Sequence, residues 1–176
     1  HLLTNIFSGD LKKRGIPFSQ ELDILEFMVD EATKAEWNMQ GLPTDPLSVQ
    51  NGVLVTNASR FPLMIDPQGQ AISWIVNLEK ERMPKFGIVQ LNDPRLKDRL
   101  EFSMAEGMAL VIAGVEEEID PMLDPVLEKE VIKKGKTLFI NVADQLLEYS
   151  PDFALYFITR LPNPHFSPEL QAKTTV

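Results

Sequence analysis

Four consecutive apolar residues, Ala109 to Ile112, most constrain what this chain can fold into. A run without alternation is typical of a strand covered on both faces, as in a parallel sheet between helices. Segments 63–65, 87–91 and 154–159 predict three more strands. Because helical patterns separate the first three strands, we predict an α/β fold with a mostly parallel sheet in three layers, helices on both sides.

Proline, glycine and capping residues bound the predicted helices. One N-terminal helix is predicted from Ser19 to about Met39, and a second opens at Asp45-Pro46. Segments 137–142 and 146–149, joined at 143–145, predict a β-hairpin insertion before the last strand. Further helices are predicted from Gln70 to Pro84, from Asp93-Pro94 to Gly107, and from Asp120-Pro121 onward.

Length and charge narrow the classes of function. A chain of 176 residues suits a single domain, here 1–176. The net charge of −9 disfavours binding to nucleic acid or to acidic membranes. Cysteine is absent, which excludes disulfides and cysteine-based metal sites or nucleophiles. We therefore expect a soluble, intracellular domain that binds neither nucleic acid nor membrane.

The loop after the first strand is where ligand chemistry is expected, because ligands in such sheets bind beyond the carboxyl ends of strands. A working phosphate loop has the pattern G-x-x-x-x-G-K-[ST]. Against that pattern, Asp66 and Ala71 replace the two glycines, Ile72 replaces the lysine, and Ser73 alone matches. The degenerate loop comprises Asp66, Pro67, Gln68, Gly69, Gln70, Ala71, Ile72 and Ser73.

These replacements predict weak or absent nucleotide binding. Asp66 brings a carboxylate to the place of phosphate oxygens, and Ile72 removes the cation that would face them. The acid that holds Mg²⁺ should end the third strand, where this chain has Ala113-Gly114. The run 116–118, three glutamates, follows too late to occupy the strand end and is typical of a solvated turn. We therefore assign no catalytic residue and expect no cofactor or metal in this module.

Eight short segments of the chain form a recognisable set: 41–43, 47–52, 60–71, 74–75, 119–121, 123–129, 161–164 and 167–169. Residues 62–71 are the most specific of them. Together these segments resemble the fifth AAA+ unit of dynein heavy chains, and the pattern is closer to the axonemal than to the cytoplasmic chains. The resemblance extends over about residues 15–176.

The resemblance implies a large α/β subdomain of a motor ring with six unequal units. Hydrolysis of ATP, with Mg²⁺, takes place in other units, whereas the fifth resembles a spacer without nucleotide. The implied partners are the fourth and sixth units and the linker of the same heavy chain, and indirectly the dynein complex and the microtubule. The implied location is the cytoskeleton, in the axoneme of a cilium or flagellum. The lid and the strut of the unit are expected beyond Val176.

AAA+ units also present a basic residue to the nucleotide of the preceding unit, from the region after the last strand. Arg160 and Lys173 are the basic residues nearest that region. We predict that one of them faces the fourth unit's nucleotide. The alternative, an ordinary surface cation, stays open on the sequence alone.

Three functions remain open on the sequence. The first is a structural module that relays ring movement between the motor site, the linker and the stalk. The second is a weak NTPase that uses Ser73 and one glutamate of 116–118. The third is a regulatory module that holds ATP or ADP without hydrolysis. The apolar side chain of Ile72 favours the first.

Overall fold

The computed structural model describes residues 29–176. Its elements in chain order are α1 (Glu31–Met39), α2 (Pro46–Asn57), β1 (Leu63–Ile65), α3 (Gln70–Leu78), β2 (Ile88–Gln90), α4 (Leu96–Glu106), β3 (Ala109–Ala113), a 3-10 turn (Pro121–Leu123), α5 (Asp124–Leu127), β4 (Ile132–Lys134), β5 (Thr137–Val142), β6 (Gln145–Tyr149), β7 (Ala154–Thr159) and α6 (Pro168–Lys173).

The main sheet has four strands in the order β1-β7-β3-β2, and every neighbouring pair is parallel. Leu63 of β1 lies opposite Phe157 of β7, and Leu110 of β3 lies opposite Leu155 of β7. Strands β7 and β3 therefore occupy the centre of the sheet. This arrangement confirms the predicted α/β class and the mostly parallel sheet.

Apolar side chains cover the sheet on both faces. One face packs against α4, α5, α6 and the second sheet, through Leu63, Val89, Leu110, Ile112, Leu155 and Phe157 among others. The opposite face packs against α1, α2 and α3, through Met64, Ala109, Val111, Tyr156 and Ile158. Alternate residues of each strand point to opposite faces, and both faces are buried. The run 109–112 is therefore apolar throughout.

The first two described helices, α1 and α2, each begin at an aspartate cap. Asp30 accepts a hydrogen bond from the Thr33 backbone N–H at 2.7 Å, and Asp45 accepts one from the Ser48 N–H at 3.0 Å. These bonds satisfy helix amides that otherwise lack a partner. The helix predicted to open at Asp45-Pro46 is confirmed as α2 and includes the apolar run 53–55.

The prediction of one continuous helix from Ser19 to Met39 is wrong at Val29 and Asp30. The extended backbone and the cap at Asp30 begin α1 at Glu31, so Val29 lies outside that helix. Residues 19–28, which the prediction also included, lie outside the described residues.

Two buried indole rings link α1 to α3. Trp37 and Trp74 are in edge-to-face contact with ring centroids 5.8 Å apart. A Cβ added at Gly52 of α2 would lie 2.8 Å from the Trp37 ring, so this helix approaches α1 too closely for any larger residue. Aromatic packing, rather than stacking on a ligand, accounts for both tryptophans.

A second sheet follows β3 and has the antiparallel order β4-β5-β6. The predicted hairpin is present as β5 and β6, and its two-residue turn has positive φ at Ala143 and Asp144, as hairpin turns with a matching twist require. Strand β4 was not predicted, because Lys133 and Lys134 make its sequence polar. The helix expected from Asp120-Pro121 is short: a 3-10 turn leads into α5, which ends at Leu127.

A charged cluster joins the segment after α3 to the central strand at the amino-terminal edge of the sheet. The Tyr156 hydroxyl donates to Glu79 Oε1 at 2.5 Å, and Arg82 Nε lies 2.7 Å from Glu79 Oε2. Arg82 Nη1 also donates to the Asp152 carbonyl at 2.9 Å. Burial, together with the hydrogen bond to Glu79, raises the pKa of Tyr156. The cluster therefore holds a buried carboxylate with both a phenol and a guanidinium.

We expect Tyr156→Phe to lower the free energy of unfolding by ~1–3 kcal/mol, because Glu79 loses one of its hydrogen bonds inside the protein. The folded pKa of Tyr156 is raised, so this contribution is complete below the unfolded tyrosine value of about 10 and is lost as the pH rises further. Urea unfolding of both proteins from pH 7 to 11 measures the difference.

Tyr149→Phe is the matched control. Tyr149 is half-buried, and its hydroxyl has no hydrogen bond to another described residue, so its removal should change the free energy of unfolding at pH 7 to 9 by about 0.5 kcal/mol or less. Equal losses for the two variants, or a Tyr156→Phe loss that grows above pH 10, would contradict the role assigned to Glu79.

Candidate functional site

The predicted site lies at the carboxyl edge of the main sheet. The loop 66–69 connects β1 to α3, and β7 separates this loop from the end of β3. The Asp66 N–H donates to the Thr159 carbonyl at 2.8 Å, which ties the start of the loop to the end of β7. The fold therefore brings the loop and the end of the third strand to one edge of the sheet.

The Asp66 carboxylate is directed into the loop. Asp66 is 5% exposed, and its Oδ2 accepts a hydrogen bond from the Ile72 N–H at 2.9 Å. Ile72 is the third residue of α3, so this carboxylate satisfies an amide at the positive end of the helix. The N-cap residue itself, Gly69, has no side chain to do so. In a working phosphate loop, these amides are what a phosphate contacts.

The other loop residues provide no charged group that could bind a phosphate. Gly69 has φ 80°, a left-handed conformation that suits glycine, and it turns the chain into α3. The Ser73 hydroxyl donates to the Gly69 carbonyl at 3.0 Å. Ile72 is half-buried and carries no charge. Pro67, Gln68 and Gln70 are exposed, and Ala71 is half-buried.

The end of β3 offers no carboxylate. Ala113 is half-buried, and Gly114 has φ 76°, which a side chain rarely adopts. A Cβ at Gly114 would lie 2.7 Å from Gln90 Oε1, the end of an exposed side chain that would have to move aside. The run 116–118 is exposed and follows the buried Val115, past the strand end.

Thr159 is a site residue that the sequence prediction missed. It is fully buried at the end of β7, its carbonyl accepts from Asp66, and its hydroxyl accepts from the Leu161 N–H at 3.2 Å. Thr159 thus fixes the loop on one side and the exit of β7 on the other. The available signal was a polar residue that ends the apolar run 154–158.

A cleft of ≈ 330 Å³ lies beside the loop. Apolar side chains from α2, β1 and α3 line most of it, Leu54, Met64 and Trp74 among them, and Asp66 lies at its polar side. Thr175 and Val176 line another side, because the Leu63 N–H donates to the Thr175 carbonyl at 2.7 Å in a parallel bridge beside β1. The cleft has the size of a small-molecule pocket but contains one carboxylate and no cation.

The two predicted neighbour-facing cations differ in their surroundings. Lys173 Nζ lies 2.7 Å from Glu169 and 3.2 Å from Asp124, and the hydrogen bonds to Glu169 and then Asp124 raise its pKa. Arg160 is exposed beyond the end of β7, and no described residue pairs with it. The geometry thus favours an intramolecular role for Lys173 and leaves Arg160 as the residue open to a neighbour.

These residues do not fit a nucleotide with Mg²⁺. The helix amide is bonded to Asp66, a cation is missing at position 72, and the end of β3 lacks a metal ligand. In residues 29–176, no three histidine, aspartate or glutamate side chains are grouped closely enough to hold a metal ion. Over the same residues, none of the helices combines the length and apolar character needed to cross a membrane.

Comparison with known proteins bears on the family. Residues 35–176 match a family described as the ATP-binding dynein motor region. The chain is 50% identical over 175 residues to the dynein gamma chain of the flagellar outer arm of Chlamydomonas reinhardtii. It is 45% identical over 175 residues to dynein axonemal heavy chain 5 of Mus musculus, and 44% identical over 176 residues to dynein axonemal heavy chain 8 of Homo sapiens.

These alignments cover 99–100% of the chain but 4% of each relative. The chain therefore corresponds to one short segment of very long proteins. The observed fold, a parallel sheet with a loop after β1, is consistent with the family match over residues 35–176. The chain belongs to the ATP-binding dynein motor region family.

Proposed function

We propose that this chain is a non-catalytic AAA+ module of a dynein heavy chain, the fifth unit of the motor ring. It relays movement between the ATP-hydrolysing unit, the linker and the stalk. The observation that carries the proposal is the hydrogen bond from the Ile72 amide to the Asp66 carboxylate. An anion that belongs to the protein already satisfies the amide at which a phosphate would bind.

Charge supports the same function. Bringing a nucleotide phosphate to this loop would place it beside Asp66 in a buried position, with an isoleucine where a lysine is needed. A charge-assisted hydrogen bond is worth about 1.5–3 kcal/mol, and each 1.4 kcal/mol is a factor of about ten in affinity. The loss of that bond and the added repulsion weaken phosphate binding by two decades or more.

The proposed setting follows from the names of the relatives. Two are axonemal heavy chains and one belongs to a flagellar outer arm. We place this chain in an axonemal dynein that moves along microtubules, in contact with the fourth and sixth ring units and the linker of its own heavy chain. Its acidic character, a net charge of −9, suits a module that does not itself touch the acidic microtubule surface.

A second candidate is a regulatory module that holds ATP or ADP without hydrolysis. The cleft of ≈ 330 Å³ beside the loop favours it, because its mostly apolar lining from α2, β1 and α3 suits a flat, uncharged ring. In such a module the phosphates of the nucleotide would have to bind groups other than the backbone amides at the start of α3. A weak NTPase also needs a metal ligand, and the exposed run 116–118 lies past the end of β3.

Calorimetric titration of ATP and ADP with Mg²⁺ into the chain separates these functions. We expect no saturable heat up to ~1 mM nucleotide, since repulsion by Asp66 leaves any affinity weaker than that. Binding with a Kd tighter than about 100 μM would favour the regulatory module instead. The same titration in a full heavy chain, with its catalytic sites disabled by substitution, tests whether neighbouring units complete the cleft.

Restoring the phosphate-loop pattern should create affinity. We expect Asp66→Gly, Ala71→Gly and Ile72→Lys together to bind ADP at least ~100-fold more tightly than the natural chain, because the amides are freed and a cation is supplied. Nucleotide-dependent shifts of Tm and calorimetry both report the gain.

Asp66→Gly alone is the matched control for that variant. Loss of the Asp66 cap should lower the free energy of unfolding by about 0.5–2 kcal/mol. The affinity for ADP should rise little, because Ile72 still supplies no cation. An ADP affinity equal to that of the natural chain in the triple variant would mean that features outside the loop exclude nucleotide.

A further inference from the structure

One oxygen of the buried Asp66 carboxylate has no hydrogen bond to residues 29–176. Oδ2 accepts from the Ile72 N–H at 2.9 Å, whereas Oδ1 accepts from none of the described residues. Over the same residues, the fully enclosed side-chain atom without a hydrogen bond is the Ser103 hydroxyl, so Asp66 Oδ1 still has contact with solvent. Asp66 lines the cleft beside the loop. A group that lies in the cleft can therefore reach this oxygen.

The surroundings of Asp66 leave its negative charge without a cation. None of the residues that line the cleft is a lysine, an arginine or a histidine. The positive end of α3 contributes roughly half an elementary charge, so the loop stays net negative. A charged group that is 5% exposed and bonded through one oxygen is costly to bury unless a second partner is supplied. The partner that suits this oxygen is a positively charged hydrogen-bond donor.

The other walls of the cleft suit an apolar body. Leu54 of α2 is 46% exposed although it lines the cleft, and Val55 and Ala71 beside it are half-buried. Elements α2, β1 and α3 and residues 175–176 build the walls, so the cleft is formed within this chain. Its volume of ≈ 330 Å³ lies in the range of small-molecule pockets. Size and enclosure by one chain favour a small molecule over a docked protein segment.

We propose that this cleft binds a small organic cation, a planar amidinium or ammonium compound with an apolar body. The charged N–H groups of the ligand donate to Asp66 Oδ1, while Oδ2 keeps its hydrogen bond to the Ile72 amide. The apolar body lies against Leu54, Val55 and Ala71. The cleft thus selects the charge opposite to that of nucleotide phosphates. The inference concerns the loop on which the proposed function depends, but it requires no particular position in the motor ring.

Capping of α3 accounts for one oxygen of Asp66 and not for the other. An asparagine at position 66 would also cap the Ile72 amide through its side-chain oxygen, without any charge. A role limited to capping therefore predicts equal affinity of the cleft for cationic and neutral ligands of the same shape. A cation site predicts a preference for the cation that disappears when the charge of Asp66 is removed.

Titration of the isotope-labelled chain with three planar compounds, followed by NMR, tests the proposal. Benzamidine is a cation, benzamide is neutral, and benzoate is an anion of nearly the same shape. We expect benzamidine to bind with a Kd of about 1 mM or tighter, benzamide to bind at least ~10-fold more weakly, and benzoate not to bind. The amide signals of Asp66, Ala71 and Ile72 should shift on binding. Equal affinities for benzamidine and benzamide, or shifts confined to other surfaces, would overturn the proposal.

Asp66→Asn removes the charge and keeps an oxygen for the Ile72 amide. In this variant the affinity for benzamidine should fall about tenfold, to that of benzamide, while the affinity for benzamide should stay the same. Retained benzamide binding also shows that the cleft of the variant is folded. Asp98→Asn is the matched control, because it removes an exposed carboxylate from α4 on the other face of the sheet and should change neither affinity. A preference for benzamidine that survives in Asp66→Asn would contradict the assignment.

The intact heavy chain shows whether the cleft accepts a small molecule within the motor. The fluorine NMR signal of 4-fluorobenzamidine should broaden with the natural heavy chain and clearly less with its Asp66→Asn variant. Equal broadening would mean that another part of the motor, such as a lysine or arginine side chain, fills the cleft, and would overturn the small-molecule assignment. Nucleotide titration tests the α3 amides and the apolar position 72, so the proposed function and this inference can fail separately.

Discussion

The main sheet is buried on both faces, and the rest of the structure depends on that constraint. Strand β7 pairs with β1 on one side and β3 on the other, so a polar residue in the middle of either central strand would face a core. Parallel pairing also sends the carboxyl ends of these strands to one edge. The loop after β1, Thr159 and the end of β3 meet there as a result, whatever chemistry they retain.

Sequence reasoning was most successful where burial dictates residue type. Runs 63–65, 109–112 and 154–159 were recognisable because strands covered on both faces exclude polar residues. It failed at β4, where the edge position allows lysines, and at the start of α1, where a local cap at Asp30 begins the helix inside the predicted periodic pattern. Both failures occur where solvent or one hydrogen bond, rather than the core, determines the backbone.

The sequence predicted which phosphate-binding and metal-binding side chains are missing from the candidate site. It did not predict how the remaining side chains are arranged there. The missing lysine at position 72 and the missing acid at 113–114 follow from spacing alone. Only the fold shows that the Asp66 carboxylate turns inward onto a helix amide and that the end of the Gln90 side chain lies beside Gly114. The ion pair between Glu169 and Lys173 could be predicted from sequence, because residues four apart on a helix lie side by side. The ion pair between Asp124 and Lys173 could not, because tertiary packing brings these two residues together.

The inward carboxylate of Asp66 also has an evolutionary consequence. A single reversion to glycine removes the helix cap and lowers stability, yet restores no cation, so selection for nucleotide binding would gain nothing from that first step. A lysine at position 72 alone would supply a cation, but the backbone amide of residue 72 would stay bonded to Asp66. Neither single substitution therefore both frees the amide and supplies the cation, so the phosphate-loop pattern returns only through several changes made together.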